Sequence, residues 1–149
     1  MSDARVIEHL NGLLADAVIY YYKIHNYHWF VKGHRFKELH ETFEGLYESA
    51  HQDLDDLAER VLTIGGKPLG TLAETLTHAT IKEETQTRDA EEMIRLTLAD
   101  LKTRVERIRA AADISDEQGD RGTTAMLEDL IQRIEKTSWM LESAFGTPS

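Results

Sequence analysis

The stretch Phe36–Pro68, FKELHETFEGLYESAHQDLDDLAERVLTIGGKP, decides the fold. Phe36, Leu39, Phe43, Leu46, Tyr47, Ala50, Leu54, Leu57, Val61 and Leu62 recur at three- and four-residue intervals, which lays them along one face of an α-helix. Gly65-Gly66-Lys67-Pro68 ends that helix: glycine accepts the left-handed conformation of a helix end, and proline has no N–H to continue one. A helix is therefore predicted from about Phe36 to Ile64.

Working outward, the same period predicts a first helix from about Asp3 to Lys32, with Ser2 or Asp3 as its cap and Gly33 as its stop. Beyond Pro68, Thr71 with Glu74 three residues on forms a capping-box pattern and predicts a short helix over Leu72–His78. Thr80 and Glu83 repeat the pattern and are expected to open a third long helix, running to about Ala112. The polar run Asp113 to Gly122 reads as a break, and a last helix is expected from Thr123 to Phe145 before the tail Gly146-Thr147-Pro148-Ser149. The expected fold is all-α: one domain over residues 1–149, a four-helix bundle with a short extra helix in the B–C connection between the second and third long helices.

Composition narrows the chemistry. The absence of cysteine excludes disulfides, thiolate metal sites, iron–sulfur clusters and thiol catalysis. No basic-then-apolar leader opens the sequence, and no apolar run nears the roughly 20 residues that span a bilayer. A cytoplasmic protein with no membrane contact is expected. The net charge of −10 opposes nonspecific contact with nucleic acid and favours the collection of cations.

Against that background, Asn26-Tyr27-His28-Trp29, His40-Glu41-Thr42-Phe43-Glu44 and Asp55-Asp56-Leu57-Ala58-Glu59-Arg60 bring imidazoles and carboxylates to fixed helical intervals. Mixed nitrogen and oxygen donors of this kind suit iron, zinc or manganese. His40 and Glu44 share a helix face, as do Asp55 and Glu59. At about 1.5 Å per residue the two pairs lie roughly 22 Å apart on one helix, while metal–ligand bonds are about 2 Å long, so they cannot share an ion within one chain. Two copies of the helix packed antiparallel about a two-fold axis would bring them together, twice by symmetry. His28 joins if the end of the first helix returns beside the start of the second. A site inside one bundle would need a Glu-x-x-His pair on each of two helices. Only Glu48-Ser49-Ala50-His51 supplies one, and the last histidine is His78.

Plainer readings hold elsewhere. His9, His25, His34, His51 and His78 read as ordinary surface or core histidines, and Tyr20-Tyr21-Tyr22 as packing. Without the two histidines, Asp55 and Glu59 would read as a solvated acidic face.

From Asn26 to Thr71 the chain resembles the Dps family, the mini-ferritins. The likeness rests on the His28-Trp29 pair, the twelve-residue step from His28 to His40, Asp55-x-x-x-Glu59-Arg60 and Gly65-Gly66-x-x-Leu69-Gly70-Thr71, with Ser138-Trp139-Met140 further along. The resemblance implies a ferritin-like fold and an iron-oxidising centre between two-fold-related chains. One chain would give His28, His40 and Glu44, and its mate Asp55 and Glu59. The family often has Asp at the position of Glu44. It also implies a dodecamer, a homo-oligomer built from two-fold dimers, that oxidises Fe²⁺, commonly with hydrogen peroxide, and stores ferric mineral inside. Pores near the start of the last helix would draw on Asp116, Glu117, Asp120, Glu128 and Asp129, with Asp120 and Asp129 favoured. Trp29 would be an electron sink, or a packing residue.

The expectation is thus a ferroxidase and iron-storage protein, using hydrogen peroxide or oxygen and protecting against oxidative stress. Direct DNA binding is not expected, since only Arg5 precedes the first apolar stripe and the C-terminal tail has no basic residue. Three rival readings are a DNA-compacting shell with little redox activity, a zinc- or manganese-binding assembly, and a signalling or adhesion role on a shell surface.

Overall fold

The computed structural model describes residues 3–146. Five helices and no strand are present among them: α1 (Ala4–Phe30), α2 (Phe36–Thr63), α3 (Leu72–His78), α4 (Ala90–Glu117) and α5 (Arg121–Phe145). Short turns make two antiparallel hairpins, α1 with α2 and α4 with α5, and these pack as a four-helix bundle. Leu10, Ile24, Tyr27, Phe43, Leu57, Leu101, Ile108, Leu127 and Leu130 fill its core, and α3 lies in the connection between α2 and α4, against α1.

Each turn has a local cause. Asp3 caps α1 by accepting from the Arg5 N–H at 2.8 Å, while Ser2 and residues 147–149 lie outside the described residues. At the end of α2, Gly65 adopts φ +90°, and the N–H groups of Gly66 and Gly65 donate to the Val61 and Leu62 carbonyls. This Schellman closure satisfies carbonyls the helix would otherwise leave open. The end of α4 repeats it with Gly119 at φ +72°. The Thr71 hydroxyl accepts from the Glu74 N–H and donates to its carboxylate, which opens α3 as expected.

The third long helix departs from expectation. It starts at Ala90, capped by Asp89, and not near Thr80. The groups that were expected to cap it are taken by buried Asp16 of α1, which accepts from the Thr80 and Ile81 N–H groups at 2.7 and 3.0 Å and from the Thr80 hydroxyl at 2.8 Å. The same helix runs past Ala112 to Glu117, and α5 begins at Arg121. Buried Ser115, bonded to Ala112 and Thr124, keeps the polar run in the helix by facing inward while its charged neighbours face water.

Charged residues occupy the middle of the bundle in closed pairs. Lys23 meets Asp100 at 2.6 Å, and Asp53 is held by Arg104 at 3.4 Å and Arg133 at 3.0 Å. The Arg104 guanidinium also lies over the Tyr20 ring, whose phenol burial pushes far up. Among the described residues, no helix is long and apolar enough to cross a membrane.

Candidate metal centre

The tight turn after α1, with Gly33 at φ +112°, returns the chain so that the end of α1 lies beside the start of α2. There His28, buried, and His40, half-buried, clasp each other. His28 Nδ1 donates to the His40 carbonyl at 2.8 Å, and His40 Nδ1 donates to the His28 carbonyl at 2.7 Å. A carbonyl can only accept, so both Nδ1 atoms carry a proton, and in the neutral ring Nε2 is the atom left with a lone pair. This is the tautomer a metal-binding imidazole needs, oriented by the second hydrogen bond. The rings stack at 3.7 Å and 17°. Phe36 stacks on His40, and the Tyr47 ring stands nearly perpendicular to His28 with ring centres 5.3 Å apart.

The carboxylates are arranged otherwise. Glu44 lies exposed one turn beyond His40. Asp55 and Glu59 are exposed, one turn apart, on the far half of the same uninterrupted α2. The structure therefore brings His28 and His40 together and leaves Asp55 and Glu59 about 22 Å along the helix. Among the described residues, no three His, Asp or Glu side chains converge within the chain as a metal site would require. The interior that could hold ions in another bundle is closed by the ion pairs of Lys23, Asp53, Asp100 and Arg104. Glu48 and His51 face outward, with His51 against Tyr21.

Arg60, next to Glu59, turns toward α5, donating to Asp120 at 3.2 Å and to the Thr123 hydroxyl at 2.9 Å. Asp120 also caps α5 and accepts from the Thr123 hydroxyl at 2.6 Å, so this carboxylate has structural work beyond any pore. Asp129 is exposed and pairs with Arg133 at 2.9 Å.

Two residues near the histidines hold places that their sequence readings, an ordinary histidine for His25 and part of the apolar stripe for Tyr47, do not reveal. His25 stacks on Tyr47 at 3.7 Å and 20° and lies 5.1 Å from the Trp29 ring. Burial, with His28 close by, holds the His25 imidazole below its usual value. Tyr47 belongs to the apolar stripe of α2 and is half-buried. Desolvation, followed by the charges of Glu44 and Glu48, raises its phenol. The available signal was spacing, since His25 precedes His28 by three residues and Tyr47 follows His40 by seven, two turns along the same face. Trp29 is 54% exposed, and its ring contacts within the chain are with Tyr22 and His25.

Comparison with known proteins agrees with this architecture. The ferritin-like domain family matches residues 7–148. A DNA protection during starvation protein from Brevibacillus brevis is 45% identical over 134 residues, 90% of each chain. The solved Dps protein from Bacillus brevis superposes with a TM-score of 0.92 at 42% identity, covering 96% of this chain and 98% of that one. Dps from Vibrio cholerae O1, described as a member of a broad superfamily of ferritin-like diiron-carboxylate proteins, superposes with a TM-score of 0.91 at 33% identity, over 94% and 88% of the two chains.

Proposed function

The chain belongs to the Dps family of ferritin-like proteins, and from that premise we propose that it is a ferroxidase that oxidises Fe²⁺ at sites shared between two-fold-related chains. The observation that carries this reading is the reciprocal clasp of His28 and His40, which holds both stacked rings by Nδ1 and leaves Nε2 of each as the remaining donor. The clasp supplies two separate imidazole donors, one for each iron of a two-metal site. Glu44 completes one chain's share. Asp55 and Glu59 of the partner supply the anionic ligands, which hold Fe³⁺ more strongly than Fe²⁺ and so favour loss of an electron.

Hydrogen peroxide is the preferred oxidant in this reading, with oxygen the slower alternative. Two Fe²⁺ ions give one electron each, the O–O bond breaks, and both oxygens leave as hydroxide or water without hydroxyl radical. The Fe³⁺ produced hydrolyses against carboxylates inside a twelve-chain shell and is stored as mineral, which protects a cytoplasm under oxidative stress. The net charge of −10 on each chain draws Fe²⁺ toward the shell. Pores near the start of α5 would admit it, with Asp129 better exposed for that role than Asp120. DNA is not a direct ligand in this reading, and zinc or manganese would compete for the same donors without turning over.

The test is an anaerobic Fe²⁺ titration of metal-free protein, followed by a peroxide pulse with ferric absorbance and radical trapping read together. Saturation near two irons per site, fast oxidation and a low radical yield are expected. His28→Ala with His40→Ala should abolish fast oxidation while the oligomer still assembles. Unchanged kinetics in that assembled variant would remove these residues from the site, and wild-type oxidation no faster than buffer would remove the ferroxidase reading.

A further inference from the structure

The outward face of α2 carries one more pair of metal-type donors, Glu48 and His51, midway between the two halves of the candidate centre. At 3.6 residues per turn, His40, Glu44, Glu48, His51, Asp55 and Glu59 fall within an arc of about 100°, so one stripe of the helix carries all six. Glu48 and His51 are both exposed and stand one turn apart on that stripe. Among the described residues, neither side chain has a hydrogen bond or an ion pair. His51 rests against the Tyr21 ring, with 5.7 Å between ring centres, and both of its nitrogens are without a partner in the chain. The Glu-x-x-His spacing that a site inside one bundle would need twice thus occurs once, on the outside.

We propose that Glu48 and His51, together with the same two residues of a second copy of this chain, form a divalent-metal site on the two-fold axis, separate from the ferroxidase centres. The site rests on the reading above that sets the histidine half of α2 against the carboxylate half of its mate. Antiparallel helices related by a two-fold axis share a single register. The register that sets His40 opposite Glu59 of the partner subunit, and Glu44 opposite Asp55 of the partner subunit, also sets Glu48 opposite His51 of the partner subunit. The axis then passes between Ser49 and Ala50, and each of the four donors lies about 2 Å from it along the helix. One Glu-x-x-His pair from each chain meets there, giving two carboxylates and two imidazoles. Mixed nitrogen and oxygen donors suit Zn²⁺, Fe²⁺ or another first-row dication, and four protein ligands make a closed, structural site with no open position for an oxidant. A cation on the axis also offsets the repulsion between the two acidic stripes, since each carries Glu44, Glu48, Asp55 and Glu59. It lies about 11 Å along α2 from each ferroxidase centre, so it ties the two chains together without entering either one.

The probe is Co²⁺, whose visible bands are intense when it is four-coordinate. It is titrated into the assembled full-length protein carrying His28→Ala and His40→Ala, in which the main centres have lost their imidazoles. One tightly bound Co²⁺ per two chains is expected, with four-coordinate bands that one equivalent of Zn²⁺ abolishes. Adding His51→Ala or Glu48→Gln should remove both the bands and the tight binding, and wild type should likewise bind one more Co²⁺ per two chains than His51→Ala alone. Bands that survive both changes, or the absence of tight Co²⁺ binding before them, would overturn the site. The chain has no cysteine, so the register can be tested apart from the metal. A chain with Glu48→Cys mixed with one with His51→Cys should form a disulfide-linked pair faster than either chain alone. That cross-link without a Co²⁺ site would make the contact a metal-free one, overturning the axial site and leaving the shared ferroxidase centre intact. No preference for the mixed pair, in assemblies shown to contain both chains, would overturn the register and with it both the axial site and the sharing of the main centre.

Discussion

Asp16 of α1 and Arg107 of α4 form an ion pair at 2.6 Å in which the carboxylate is 1% exposed and the guanidinium 31%. The same carboxylate holds the N–H groups of Thr80 and Ile81, so one buried side chain joins two helices and the strap that follows α3. Asp16→Asn could keep one oxygen on the two N–H groups but would set an amide NH₂ against the Arg107 donor. Breaking a buried pair costs several kcal/mol, and the partly wet Arg107 recovers some of that in water, so a loss of about 2 kcal/mol is expected. Chemical denaturation measures the total. Hydrogen exchange should rise most over residues 79–89, and a loss spread evenly over the bundle would contradict this account.

Glu84 makes the strap pH-sensitive. Burial alone would raise its carboxyl, but hydrogen bonds from Tyr27 at 2.6 Å, the Gln86 N–H and Arg88 outweigh that and hold it below the usual carboxylate range. A depressed folded value means the stabilisation is complete above about 4.5, the ordinary glutamate value, and disappears as pH falls through the folded one. Glu84→Gln resembles the protonated side chain at every pH. It should be less stable than the wild type by about 2 kcal/mol at pH 7. The two stabilities should then converge as the pH drops below 4.5. Urea titrations at pH 7 and pH 3 decide it, and a gap of the same size at both would rule out titration of Glu84 as the cause.

Gly122 is needed for a contact and not for its backbone. A Cβ there would lie 2.6 Å from Arg60 Nη2, the group that reaches Asp120. Gly122→Ala gains at most about 1 kcal/mol of helix propensity, and less in a first turn. It displaces hydrogen bonds to a charged group, each contributing about 1.5–3 kcal/mol. A net loss of about 1 kcal/mol is expected. The double variant with Arg60→Ala should show no further cost from the alanine, and a full additive cost would mean the clash with Arg60 is not the cause.

The long helices were legible because their causes are local. The apolar stripe of α2 and its Gly65-Gly66 stop need nothing from the rest of the chain. The start of α4 was not legible, since Thr80 and Glu83 form a valid local capping pattern that loses to Asp16, sixty-four residues earlier. Ser115 shows the same limit in reverse: a polar run reads as a loop unless one knows that its serine faces Thr124. At the centre, the spacing of His28 and His40 was readable, but their mutual Nδ1 bonds depend on how the turn after α1 closes. His25 and Tyr47 escaped because a lone ring on an apolar face carries no sign of what stacks on it.

The separation of the two ligand pairs along α2 permits a test of the shared centre that single variants cannot give. Take one chain with His28→Ala and His40→Ala, and a second with Asp55→Ala and Glu59→Ala. Each alone should be inactive, because a two-fold dimer of either lacks half of both centres. When the two are co-assembled, a mixed dimer has one centre with both halves intact, formed by the histidines of the second chain and the carboxylates of the first, and one centre with neither. Random pairing makes half of the dimers mixed, so oxidation should recover to about a quarter of the wild-type rate. Joining the two chains in a tandem fusion that enforces mixed pairs should raise it toward one half. No recovery in mixed assemblies that are shown to contain both chains would mean that the histidines and carboxylates do not meet across a two-fold axis, whatever each contributes by itself.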